Sequence, residues 1–257
     1  MIKLEMEEIM KGKKLNYQFS VFGDFSDITP NNSQNIIDLL NLYKDKNFIP
    51  SIFQEIPAEI IPAKSNNRIM LSNADGWNMN IGNVRIDLSI TYNEKGKYSD
   101  MNIDNIINEA KEIFEKILKL YQKKCNRIAL NTTFLFEDEE SKKISNKYNK
   151  RGSLIKFYNE NESEEWNERY ISQIKEKKFD DEIINIGTAL NKTSGEIGIG
   201  NKTITFNDRI ILQFDINTSP RITTHRFDVQ KINTFFDIAK AYKDRLETDI
   251  QEIIDNE

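Results

Sequence analysis

Along residues 85–91, Ile86, Leu88 and Ile90 alternate with Arg85, Asp87 and Ser89, and this period of two predicts a strand with one buried face. Turns at Asp75-Gly76 and Gly82-Asn83 cut the stretch from Arg68 onward into antiparallel strands. After a polar loop, Ile103, Ile106, Ile107, Ala110, Ile113, Phe114, Ile117 and Tyr121 recur at helical spacing and give one apolar stripe. Upstream, Tyr17, Phe19 and Val21 read as a first strand, closed by Asp27 and Pro30. A helix follows, with Asn32 or Ser33 as N-cap and Ile36, Ile37, Leu39, Leu40 and Tyr43 as its core face. Residues 48–61 read as extended, because Pro50, Pro57 and Pro62 forbid a helix and suit an edge strand.

The second half repeats this order. Ile128, Leu130 and Phe134 to Phe136 make a strand, and residues 139–150 a short, mostly polar helix. Strands follow over 154–158, 170–179, 183–190 and 203–215. The chain then runs into a long helix over 228–254, whose Val229, Ile232, Phe235, Phe236, Ala239, Tyr242, Leu246, Ile250 and Ile253 keep helical spacing. Residues 85–90 thus have a counterpart in residues 209–214, each followed by a polar loop and a long helix.

The expected fold is α+β: antiparallel sheet with two long helices packed on one face, written as two β-α-β-β-β-α pseudo-repeats over residues 1–126 and 127–257, or as one continuous domain. The element order resembles the saddle of the TATA-box-binding protein, which implies one curved sheet with the long helices on its convex side. Fold alone does not carry function. The stretch from Arg68 to Tyr121, through its L-S-N-A-D-G turn, strand pair and following helix, also resembles a sporadically distributed, uncharacterised family of bacterial α+β proteins of about this size. That resemblance brings no catalytic residues with it; it implies an accessory role in a bacterium or phage, defence included.

At 257 residues the chain can bury a self-sufficient core, and its 38% hydrophobic and 30% charged content is that of a globular protein. One cysteine, Cys125, rules out a disulfide within the chain, and with one histidine, His225, there are too few ligands for a Cys/His zinc site. Glu5, Glu7 and Glu8 interrupt any secretory signal, and no apolar run approaches the roughly 20 residues of a membrane span, so the expected address is cytoplasmic. A net charge of -5 weakens long-range attraction to nucleic acid.

Four stretches carry candidate chemistry. The run G-E-I-G-I-G-N-K-T at residues 195–203 approaches a phosphate-binding loop, but Asn201 intrudes before Lys202 and a strand pattern follows where a helix is needed, so a hairpin is expected. Arg221, His225 and Arg226 precede the last helix and form a candidate anion site, against an alternative in which Asp228 caps the helix and the arginines are solvated. Asp87 and Asp215 lie inside strands, where alternation turns both to the solvent face; a paired-carboxylate site would need the halves to bring them together. Trp166 and Tyr170, in an acidic setting, are the candidate contacts for a protein partner.

No catalytic, cofactor or metal assignment follows from these patterns. The expectation is a non-enzymatic binding or regulatory protein acting on a protein partner. Its alternatives are a nucleic-acid-binding saddle and an enzyme using strand carboxylates or the segment around His225.

Overall fold

The computed structural model describes residues 13–55, 66–92, 97–98, 100–151, 157–161, 163–199 and 202–256. The first half contains β1 (Lys13–Phe22), α1 (Ser33–Leu42), β2 (Ile49–Glu55), β3 (Asn66–Ser72), β4 (Trp77–Ile81), β5 (Arg85–Thr91) and α2 (Ile103–Leu120). The second contains β6 (Arg127–Leu135), α3 (Asp138–Arg151), the single turn α4 (Phe157–Glu160), β7 (Trp166–Glu176), β8 (Glu182–Ile199), β9 (Lys202–Thr218) and α5 (Val229–Asp255).

All nine strands join one antiparallel sheet in the order β2-β3-β4-β5-β1-β6-β9-β8-β7. The order is symmetric about its middle. Outward from β1 run β5, β4, β3 and β2, and outward from β6 run β9, β8 and β7, one strand fewer among the described residues. The two halves therefore meet through β1 and β6, registered from Lys13 opposite Leu135 to Phe22 opposite Arg127.

Alternation along the central strands sends Tyr17, Phe19 and Val21 of β1, and Ile86, Leu88 and Ile90 of β5, to the covered face, where all are buried. The stripe of α2 buries Ile106, Ile107, Ala110, Ile113, Phe114, Ile117 and Leu118 against them. Helix α5 lies beside α2 on the same face. Phe236 stacks on Phe114 with ring centroids 5.9 Å apart and meets Phe19 edge-on at 5.2 Å, so one ring joins both long helices to the middle of the sheet. Asn102 caps α2 by accepting from the N–H groups of Asp104 and Asn105, and Asp228 caps α5 by accepting from that of Lys231.

Several expectations shift. Asn32, not Ser33, caps α1 by accepting from the Gln34 N–H at 3.1 Å. Only Leu39 and Tyr43 of its expected face are fully buried, while Ile37 and Leu40 are exposed, because α1 sits at the margin of the layer and reaches α2 through the Tyr43 hydroxyl, which donates to the Ile113 carbonyl at 2.7 Å. Of the strand expected over 154–158, Phe157 and Tyr158 lie in α4 and the rest falls outside the described residues; the extended stretch is seen as β2, with 56–61 likewise outside. The glycine-rich run is a hairpin, with β8 and β9 paired as far as Ile199 opposite Lys202. No helix among the described residues is long and apolar enough to cross a membrane.

Candidate functional site: the sheet face opposite the long helices

The residues that alternate with the core rows form the second face. Lying side by side in register are Ser89, Gln18, Asn131, Asp215 and Gly187, one each from β5, β1, β6, β9 and β8. The next row along the strands reads Asn80, Asp87, Ser20, Ala129, Asn217, Asn185 and Gln173. Carboxamides and hydroxyls dominate both rows.

A groove of about 600 Å³ crosses five strands of this face. Its floor is low over β8 because Gly187 has no side chain: a Cβ there would come within 3.3 Å of the Asp215 carbonyl oxygen. Asn16, Gln18, Asn131 and Gln213 stand on one side of that floor, Asn167 and Arg169 on the other, and Asn191 farther along β8 itself.

Two carboxylates anchor the polar networks. Asp87 accepts from the Ser20 hydroxyl at 2.6 Å and from Gln18 at 3.2 Å, and pairs with Arg85 at 2.7 Å. Asp215 ends a carboxamide chain in which Gln173 donates to Asn185 at 2.9 Å, Asn185 to Asn217 at 3.0 Å, and Asn217 to Asp215 at 2.9 Å. Strands β1 and β6 separate β5 from β9, and the two carboxylates lie one row apart along the strands, so they stand about 16 Å apart at ordinary strand spacing and rise. They do not form a paired acid-base site.

A second hollow, of about 450 Å³, opens where this face meets the loops at the Phe22 end of β1. Phe22, Val84, Pro220 and Ile222 give it apolar walls, and Arg127 and His225 supply nitrogen. The Arg127 guanidinium lies 4.6 Å over the Phe22 ring. Burial pulls its pKa below the ordinary arginine value, against the raising influence of Asp215. Its Nε is buried without a hydrogen-bond partner.

Compared with family models, curated proteins and solved structures, the chain gives no significant match.

The proposed anion triad is split. Arg226 turns to Glu182, with Nε to Oε1 at 2.6 Å and Nη2 to Oε2 at 2.9 Å, and its Nη1 donates to the Asn126 carbonyl at 2.6 Å. Its charge is thus compensated while it holds the β9–α5 loop to the start of β8. His225 is exposed and lines the smaller hollow, and Arg221 is exposed on the same loop. Trp166 is half-buried and stacks on Tyr148 at 4.1 Å and 8°, packing α3 against β7. Tyr170 is exposed at the sheet edge, with its hydroxyl donating to Glu168. Cys125 is buried, and burial pushes its thiol up to about 12. No group of three or more metal-ligating side chains occurs among the described residues.

Sequence reasoning passed over Arg127, Gln18, Asn131 and Gly187. Single Asn, Gln and Gly residues in strands carry no signal of their own; only the register places Gln18, Asn131 and Gly187 in one groove and Arg127 opposite Phe22 in the smaller hollow.

Proposed function

We propose that this is a non-enzymatic binding protein that holds a protein partner against the face of its sheet opposite α2 and α5. The observation that carries the reading is the groove: five strands contribute carboxamides, a carboxylate and a guanidinium around a glycine floor. An antiparallel sheet can leave one face to water, so a polar face alone is no site. A concave row of carboxamides is more specific, because each presents a donor and an acceptor in the arrangement of a peptide group. Arg85 on this face is paired with Asp87, and Asp215 lies within electrostatic reach of Arg127, so that with Arg169 as the further cation of the groove there is little of the cationic surplus that phosphate backbones require. Catalysis by the strand carboxylates is disfavoured by their separation and by the engagement of Asp87 with three neighbours.

The test is site-specific photocrosslinking in the native host. A benzoylphenylalanine in place of Asn131, in the groove, is expected to yield a discrete protein adduct, and one in place of Lys119, exposed on α2, is expected to yield none. Adducts from position 119 alone would overturn the reading. A nuclease-sensitive adduct at position 131 would replace it with the nucleic-acid saddle.

A further inference from the structure

We infer that the hollow beside Arg127 receives a carboxylate carried next to an apolar body, supplied by an acidic and apolar segment of the protein partner. The inference rests on the proposed function and adds the chemistry of what is bound. The hollow's apolar walls are contributed by separate parts of the chain: Phe22 ends β1, Val84 sits in the β4–β5 turn, and Pro220 and Ile222 belong to the loop after β9. Val84 is 63% exposed, a surface apolar residue placed at an apolar mouth.

Arg127 supplies the cation. It makes no ion pair and no side-chain hydrogen bond among the described residues, in contrast to Arg85, held by Asp87, and Arg226, held by Glu182. One carboxylate does lie in the hollow, that of Asp24, but it accepts from the Ser26 N–H at 3.1 Å and the Ser26 hydroxyl at 2.6 Å and makes no ion pair with Arg127, on which Asp215 acts only from a distance. A half-buried guanidinium over an aromatic ring, without an ion-pair partner among the described residues, is best satisfied by an incoming carboxylate, which it can hold through two parallel hydrogen bonds. A bare phosphate would leave Phe22, Val84, Pro220 and Ile222 uncovered. An aliphatic or aromatic side chain adjoining the carboxylate would cover them.

The experiment titrates the full chain with two probes of the same shape, 3-phenylpropanoate and 3-phenylpropanamide, and follows backbone amides by NMR. The acid is expected to saturate shifts at Phe22, Val84, Asn126, Ile222 and His225, and the amide to bind about tenfold more weakly, the usual scale for losing a charge-assisted contact. Arg127→Gln should bring the acid down to the amide's affinity. Because that substitution touches the sheet, Val84→Glu serves as a second variant. It places a rival carboxylate at an exposed position and should weaken the acid but not the amide. Equal binding of acid and amide, shifts centred elsewhere, or no shifts with either probe at about 10 mM would overturn the inference. A protein crosslinked at position 131 alongside a silent hollow would overturn this inference alone. A hollow that binds the acid, with no partner on the sheet, would overturn the proposed function alone.

Discussion

The two halves of the sheet share a winding order and differ in how they are covered. In the first, β1, β4 and β5 turn an unbroken apolar row against α2, and the main core fills the space between them. In the second, a smaller cluster around Phe134, Leu212 and Phe214 lies under the C-terminal turns of α5 and under α3, whose sequence is mostly polar. The edge strand β7 buries almost nothing, and β8 and β9 continue as a long paired arm past a register shift at Thr193 and Gly195. Repeating an element order thus does not repeat its energetics. The first half can serve as the scaffold, while the second carries much of the groove.

Substitutions at the junction should break this division most severely. Phe236→Ala removes the ring that joins α2, α5 and β1, and the expected loss is about 3–5 kcal/mol in chemical denaturation. If a second transition appears, the halves unfold separately. A single steep transition means the shared sheet keeps them together. Next stands the buried pair Lys243 and Glu247 on α5, 2.7 Å apart and almost wholly covered, with the ammonium near the rings of Tyr17 and Phe134, one from each half. Lys243→Met alone leaves a buried carboxylate uncompensated and should cost about 3 kcal/mol or more; the double variant with Glu247→Leu should recover most of that. Additive losses in the two single variants would show that the pair does not act as a unit.

The second half can be loosened by itself. Trp166→Ala removes the stack on Tyr148 and should cost roughly 1–2 kcal/mol, less than a core aromatic because Trp166 is only half-buried. Hydrogen exchange at β7 should already be about tenfold faster than at β4 in the parent protein, and the variant should widen that gap without changing β4. Accelerated exchange at β4 would mean that the halves do not differ in local stability.

High pH should expose the opposite bias. Burial, and then the charges of Asp38 and Asp27, push Tyr121 up to about 12, and burial with the hydrogen bond to Glu109 does the same for Tyr98. In the second half Tyr242 is raised likewise, by burial and then by Glu176. A tyrosine raised on folding contributes stability that is complete below its unfolded value near 10 and is lost as pH rises toward 12. Stability measured from pH 9 to 12 should therefore fall above pH 10, and Tyr121→Phe should flatten part of that fall.

Much of the fold is legible in the chain. Period-two alternation marks β1 and β5, the stripes of α2 and α5 mark the long helices, and their repeated order anticipates the symmetric strand arrangement. Legibility fails where a residue's meaning depends on a distant neighbour. Arg226 and Glu182 are 44 positions apart, so nothing local distinguishes Arg226 from a solvated arginine. The groove is less legible still, since Gln18, Asn131 and Asp215 become neighbours only through the β1–β6 and β6–β9 registers. A polar strand position looks the same whether it faces bulk water or a groove.

The smallest expected effect compares the two long helices directly. Asn102 satisfies two N–H groups at the start of α2, at 3.0 and 3.2 Å, whereas Asp228 satisfies one at the start of α5, at 3.0 Å, and brings a negative charge to the helix N-terminus. Asn102→Ala and Asp228→Ala should each cost about 1 kcal/mol. Only the Asp228 effect should shrink as salt is raised, because its share from the helix dipole is screened and the neutral cap's hydrogen bonds are not. Denaturation of both variants at low and high salt checks this. Equal salt response would show that Asp228 acts through its hydrogen bond alone. The two helices would then enter the sheet layer by the same means, and the difference between the halves would lie in packing rather than in charge.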